Sequence, residues 1–286
     1  MPYQIITDSC CDFPKALLEK LNISVVPLSL TFRGEVWPDT TDEGLKTIFA
    51  GLRNGETAST SAANPENWAS VIEPVLQKGE DALILTFSSG LSTTYQSAVI
   101  AASDLQEAYP QRKILVVDTL CASLGQGLLV WYACQKKEEG LSLEELAAWC
   151  EENKMKLCHW FTVDDLMYLK RGGRISATTA LLGTMLNIKP VLHMDDEGHL
   201  INISKVRSRK ASIEALAAKV GSLGIPGAND TIFICHGDCI EDAEYLKSRL
   251  EALYGTKNVV IGYVGAVIGS HSGPGTLAIF FMGEHR

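Results

Sequence analysis

The sequence predicts an α/β protein of two domains: an N-terminal three-layer α/β/α unit on a parallel sheet, then a C-terminal two-layer α/β unit with a mixed sheet. Three observations carry this. β-rich runs alternate with helical-period segments through the first half, the pattern of a parallel sheet covered by helices. After about Leu157 the pattern changes to a turn-linked hairpin, strands and helices. At 286 residues the chain also exceeds the usual size of a single core. The expected domains are 1–158 and 159–286.

Taken in order, Tyr3 to Thr7 reads as a strand ending at Asp8-Ser9, and Asp12-Phe13-Pro14 opens a helix with Leu17, Leu18 and Leu21 on one face. Ile23 to Leu30 is expected as one strand and Phe32 to Thr40 as a loop. Thr41 caps a helix carrying Leu45, Ile48 and Leu52. Thr60 to Pro65 is expected as a polar loop, with Asn64 the cap and Pro65 the first position of the helix bearing Trp68, Ile72 and Val75. Leu83 to Phe87 is a strand, followed by a hydroxyl-rich turn and a helix to about Ala108. Lys113 to Val117 is a strand ending in Asp118-Thr119. Ala122 to Glu139 is helical despite Gly125 and Gly127, and Ser142 to Glu145 is a capping box for the next helix.

In the second half, His159 to Val163 is a strand, and Val191 to His193 pairs with Leu200 to Val206 through Asp195-Asp196-Glu197-Gly198. Lys210 to Val220 and Ile240 to Leu253 are helices. Thr231 to Cys235, Val259 to Val264 and Leu277 to Met282 are strands.

Bulk properties exclude several functions. With 25 basic and 34 acidic side chains the formal charge is −9, so a general nucleic-acid surface is not expected. No secretory signal and no apolar run of roughly 18 residues is visible, which gives a cytoplasmic expectation. The eight cysteines sit mostly in apolar surroundings and suit a reducing compartment. Cys10-Cys11 and Cys235/Cys239 lack the paired clusters of a structural zinc site, so no metal is expected. The sequence contains no Walker A loop, no dinucleotide-binding glycine fingerprint and no Gly-x-Ser-x-Gly elbow.

The chemistry-bearing stretches lie at strand ends, where parallel sheets bind ligands. Ser88-Ser89-Gly90-Leu91-Ser92-Thr93-Thr94-Tyr95 passes from a strand to a helix N-terminus, a setting that suits an anion or a simple cap. Asp8-Ser9 and Thr60-Ser61 offer similar acceptors and hydroxyls. Leu169-Lys170-Arg171-Gly172-Gly173-Arg174-Ile175 groups three cations about a flexible pair, suited to phosphate or an acidic partner. Lys205, Arg207, Arg209 and Lys210 form a second basic group, or Lys205, Arg207 and Arg209 a solvated strand face. Gly269-Ser270-His271-Ser272-Gly273-Pro274-Gly275 brings an imidazole into a backbone able to approach a ligand closely.

These stretches, with Thr7-Asp8-Ser9, Asp118, Gly125-Gln126-Gly127 and Lys189-Pro190, together resemble the DegV family, over nearly the whole chain. Its better-studied members are similar to the FakB fatty-acid-binding subunits of bacterial fatty acid kinase. The resemblance implies a DegV-like fold and a non-catalytic lipid-binding protein whose ligand is a long-chain fatty acid, with no cofactor. It implies that Thr60, Ser61, Ser92, Thr94 and His271 hold the carboxylate. It places Arg207, Asp8, Ser9 and Gly273 near the head group or its phosphate, and Lys170, Arg171 and Arg174 at a docking face. The implied partner is the ATP-binding kinase subunit, with peripheral membrane contact during lipid exchange. The alternative is an enzyme acting on a small carboxylated or phosphorylated substrate with His271 as acid/base. Two departures stand out. Ala62-Ala63 replaces the usual Gln-Pro, which bears on loop shape, and β-branched Thr93 replaces a glycine, which bears on pocket width or backbone strain.

Overall fold

The computed structural model describes residues 2–37, 41–176 and 187–286. Its first sheet is four parallel strands, β1 (Tyr3–Asp8), β2 (Ser24–Val26), β6 (Asp81–Thr86) and β7 (Ile114–Asp118), in the order β2-β1-β6-β7. The intervening chain supplies α1 (Lys15–Leu21), α2 (Asp42–Arg53), α3 (Pro65–Gln77) and α4 (Thr94–Ala108). Beyond β7 follow α5 (Leu124–Glu138) and α6 (Leu143–Asn153). The expected caps are present: Asn64 and Asn67 form a reciprocal capping box ahead of α3, and Ser142 and Glu145 another ahead of α6.

Three sequence expectations change here. The single strand expected from Ile23 to Leu30 is two, because Pro27 has no N–H to continue the ladder. The chain leaves the first sheet after Val26 and β3 (Ser29–Phe32) joins a separate antiparallel sheet, between β4 (Glu35–Val36) and β5 (Ala58–Ser61). The loop expected from Phe32 begins instead as a hairpin, with Arg33 and Gly34 both at positive φ (55° and 84°) turning the chain into β4 (Glu35–Val36). The end of that loop, residues 38–40, lies outside the described residues. Thr60 and Ser61, expected in a loop, are the end of β5 (Ala58–Ser61), where Thr60 pairs with Leu30.

The second sheet has six strands in the order β10-β9-β8-β13-β11-β12. These are β8 (Leu157–Thr162), β9 (Ile188–Met194), β10 (Leu200–Arg207), β11 (Thr231–His236), β12 (Asn258–Tyr263) and β13 (Leu277–Met282). Only β11 and β12 run parallel, so the sheet is mixed as expected. The expected boundary at 158 falls inside β8. The helices here are α7 (Met167–Arg171), α8 (Arg209–Leu223), α9 (Ile240–Tyr254) and α10 (Ala266–Ser272). Neither α7 nor α10 was expected.

Period-two alternation explains the layers. Ile6, Ala82 and Ile84 face α3 and α4, whereas Ile5, Leu83 and Leu85 face the interior. On the second sheet Cys158, Trp160, Ile279 and Phe281 pack on α8 and α9, whereas Phe161, Ala278 and Phe280 join the same interior as Ile5 and Leu83. Helices α5 and α6 lie in that shared interior, giving the succession α/β/α/β/α. The central strands β6, β8, β11 and β13 therefore bury both faces, which accounts for apolar runs such as Leu277 to Met282, whereas the edge strand β10 is largely exposed.

Candidate functional site

The carboxyl ends of β1, β6 and β7 come together at one edge of the parallel sheet, as the fold class predicts. Asp8 is fully buried there, accepting hydrogen bonds from Phe87 N at 2.7 Å and Cys10 N at 3.0 Å. Ser9 Oγ accepts from Leu28 N at 2.9 Å, and Asp118 Oδ1 from Ser89 N at 3.2 Å. Asp8 and Asp118 fasten the start of the Ser88–Tyr95 turn to its sheet, whereas Ser9 holds the chain between β2 and β3. The turn is clamped from the other half as well. Ser88 Oγ donates to Gly198 O at 2.9 Å, and a Cβ on Gly90 would come within 2.7 Å of the carbonyl oxygens of Glu197 and Gly198. Gly90 is needed for that close approach.

Past the clamp, Ser92 Oγ lies 2.8 Å from Thr94 Oγ1 and accepts from Thr94 N at 3.2 Å, at the start of α4. Thr93 has φ −78° and ψ 4°, so the β-branched residue does not strain the turn, and it contributes to the lining of the pocket beside Ser92. Across from it, α10 carries Val267, Ile268, His271 and Ser272 on one face, at the i, i+4 spacing of a helix. His271 Nε2 is 2.8 Å from Thr60 Oγ1. The other side of the ring rests on Gly172, where a Cβ would overlap Nδ1.

These groups surround a cavity of about 440 Å³ between the edge of the parallel sheet and the inner face of the mixed one. Thr60, Ser61, Ser92, Arg174 and His271 lie in its wall at the polar end, and Phe87, Phe161, Leu169, Met194 and Phe280 in the apolar remainder. Thr94 is not in the wall and acts on Ser92. Asp8, Ser9 and Gly273 are also outside it. Asp8 braces the turn, Ser9 holds Leu28 N, and Gly273, at φ 81° against the Tyr168 ring, ends α10.

The basic groups separate. Arg171 is exposed, with its guanidinium 4.7 Å from the centre of the Tyr168 ring, and Lys170 is half-buried. Arg174, expected beside them at a docking face, lines the cavity and donates from Nε to Leu91 O at 3.1 Å and from Nη1 to Gly172 O at 2.6 Å. Arg207 is exposed at the end of β10 and outside the cavity wall. Arg209 opens α8 and pairs with Asp242 at 2.8 Å.

Burial governs the titrating groups. Loss of solvent, reinforced by the Arg174 charge, lowers the His271 pKa to about 4, so the imidazole is neutral at pH 7. Burial pushes Asp8 up to about 6 against the lowering effect of its backbone donors. Asp12 rises to about 7 for the same reason, although Ser123 Oγ donates to its Oδ2 at 2.5 Å. Burial raises the wall thiol Cys235 as well, which leaves it a small apolar group at neutral pH. Seven of the eight cysteines are buried and all are free.

The described residues thus combine a partly open, mostly apolar cavity with hydroxyls, the His271 imidazole and one guanidinium gathered beside the Ser92 turn, the arrangement that suits a hydrocarbon bearing a compact anion. Comparison with known proteins bears on that arrangement. The family model described as "Uncharacterised protein, DegV family" matches residues 2–284. The chain belongs to the DegV family. A DegV domain-containing protein of Clostridium perfringens is 45% identical over 286 residues, covering 99% of this chain and 98% of its own. A DegV lipid-binding protein from Thermotoga maritima has a similar structure, with a TM-score of 0.87 at 30% identity and full coverage of both chains. So does a DegV family protein from Thermus thermophilus whose structure is described by its fatty-acid binding (TM-score 0.86, 33% identity, 99% and 100% covered).

The inward position of Arg174 and the support of His271 by Gly172 escaped the sequence reading, because both depend on the turn taken by Gly172-Gly173. Gly172 has φ −72° and ψ −9°, which any residue adopts, so Gly172→Ala tests the contact without backbone strain. The added methyl displaces the imidazole from Thr60. About a tenfold loss of fatty-acid affinity is expected, equivalent to one hydrogen bond of about 1.4 kcal/mol. Calorimetric titration with a soluble fatty acid measures it, and unchanged affinity would show that His271 needs no such seat.

Proposed function

We propose that this chain binds a long-chain fatty acid, with the carboxylate at the polar end of the cavity and the hydrocarbon in the apolar remainder. The observation that carries this is the mostly apolar cavity of about 440 Å³ whose wall holds Thr60, Ser92, Arg174 and His271, with Thr60 on the His271 ring and Arg174 on Leu91 O beside Ser92. A buried carboxylate is prohibitive without partners, and hydroxyls, an imidazole and a guanidinium supply donors and a charge. The tail supplies the affinity. At about 0.8 kcal/mol per buried methylene, a sixteen-carbon chain gains on the order of 10 kcal/mol before the cost of association.

The role beyond binding is to present the head group to a separate ATP-dependent kinase and to carry the acyl phosphate onward. Exposed Arg171, at the C-terminal end of α7, and exposed Arg207, at the end of β10, support this as cations placed to meet an acidic partner or a phosphate. In this reading the chain itself performs no phosphoryl transfer.

Mass spectrometry of protein extracted under denaturing conditions should release fatty acid. The double variant Thr60→Ala, Ser92→Ala should retain less than about a tenth as much, since two head-group donors at about 1 kcal/mol each are lost. Protein free of lipid and unable to take it up would sink the proposal. For the onward step, acyl phosphate should form only when the kinase subunit and ATP are both added, and Arg171→Glu should slow it without changing lipid content.

A further inference from the structure

The inner face of the mixed sheet forms the cavity floor in rows. Thr276, Ala278 and Phe280 follow one another along it, and Phe161 and His159 lie on the neighbouring strand. Strand register pairs Ala278 with Phe161 and Phe280 with His159. On the other flank Trp160 pairs with His193, which sets Met194 beside His159. Met194, His159 and Phe280 therefore make one transverse row across β9, β8 and β13, about 13 Å beyond Thr276 at ~3.3 Å per residue. The next residues on that face, Leu157 and Met282, are buried in the core and are not part of the cavity wall.

The row is also roofed. The first turn of α5 sits directly on it: a Cβ on Gly125 would overlap His159 Nε2 and lie 2.7 Å from Phe280 Cδ1. His159 is held in place, with Nδ1 3.0 Å from Leu157 O and Nε2 accepting from Ala122 N at 3.4 Å. Its ring meets Phe280 edge to face, with centroids 5.3 Å apart. Both side chains are 3% exposed. Neither can swing aside without breaking these contacts or entering packed core.

We propose that Met194, His159 and Phe280, roofed by Gly125, are the end stop that sets the longest acyl chain this cavity accepts. The proposal rests on the fatty-acid reading above and adds a length limit to it. An extended hydrocarbon advances ~1.3 Å per bond, given a C–C bond of ~1.5 Å, so the 13 Å from Thr276 to the row takes roughly ten bonds. A chain longer than the stop must fold back or leave carbons in water, and each exposed methylene forfeits its burial.

The test is affinity against chain length. Saturated fatty acids from ten to twenty-two carbons are titrated, in steps of two, into delipidated wild type, Phe280→Leu and Met194→Ala. The wild type should show an optimum and lose at least tenfold over the next four carbons, and each variant should move the optimum about two carbons longer. Melting curves establish that the variants are folded, and Met194→Ala stands in if Phe280→Leu is not. An optimum unmoved in the folded variants, loss of binding at every length in a folded variant, or wild-type affinity with no fall-off overturns the end stop. Wild type that takes up no fatty acid at any length overturns the binding reading itself.

Discussion

Replacing His271 with leucine should lower fatty-acid affinity about a hundredfold, and should remove the imidazole's share of the pH dependence of binding below pH 7. The imidazole sits 2.8 Å from Thr60 Oγ1 in the cavity wall, and leucine keeps its bulk while removing both nitrogens. A buried carboxylate that loses such a donor loses about 2–3 kcal/mol, which is the hundredfold. The pH effect follows from the depressed pKa of about 4 in the ligand-free protein. An arriving carboxylate is an opposite charge within hydrogen-bond reach and raises that value, so binding takes up a proton at pH values between the free and bound pKa. Calorimetry in two buffers of different ionisation enthalpy, near pH 5, reads that proton directly. Wild type should show greater uptake than His271→Leu, the difference being the imidazole's proton, since the ligand carboxyl titrates in both proteins. Ligand-free stability carries the opposite signature. A histidine depressed from 6.5 to about 4 contributes stability that is present above pH 6.5 and lost as the pH falls toward 4, so the variant should gain on wild type over that window. Equal affinities for the two proteins would remove His271 from the head-group site.

The legible part of this molecule is the part written in local pattern. The strand, hydroxyl turn and helix from Leu83 to Ala108 follow from an apolar run, a Ser/Thr cluster and helical spacing, and the structure places them so. Sheet ends gather Asp8, the Ser88 turn and Asp118 because parallel strands point one way. Pairings between distant segments are not written locally. Thr60 and His271 are 211 residues apart, and nothing at either position names the other; the resemblance to the DegV family grouped them. Arg174 was placed outward as one of three cations in a glycine-rich stretch, yet its direction is decided by Leu91 O, a carbonyl 83 residues away. Helix α10 was hidden by its glycines. Gly265 and Gly269 lower helix propensity, but Gly269 meets the Phe49 ring where a Cβ would come within 2.7 Å, so tertiary packing outweighs the local preference.

Asp8→Ala should destabilise the fold by about 3 kcal/mol at pH 5, and the difference should shrink as the pH is raised through 6. Two effects of opposite sign meet in this carboxyl. It accepts from Phe87 N at 2.7 Å and Cys10 N at 3.0 Å, and alanine leaves both donors buried without a partner, at about 1–3 kcal/mol each. Burial raises its pKa from 3.8 to about 6. For a raised acid the linked stability is fully present below pH 3.8 and is lost as the pH rises through about 6, because the native state holds the proton more tightly than the unfolded chain. Wild type therefore loses part of its advantage on passing to pH 7, and a variant lacking the carboxyl does not. Urea midpoints of both proteins at pH 5 and pH 7.5 measure the two differences. A gap that widens with pH would mean that the backbone donors outweigh burial and hold Asp8 ionised. The same residue bears on ligand binding, because Phe87 N begins the turn that carries Ser92. Without Asp8 that turn loses one of its ties to the sheet, although Ser88 Oγ on Gly198 O, Ser88 N on Cys121 O, Asp118 and Arg174 still hold it, so Asp8→Ala should also weaken fatty-acid retention although Asp8 lies outside the cavity wall.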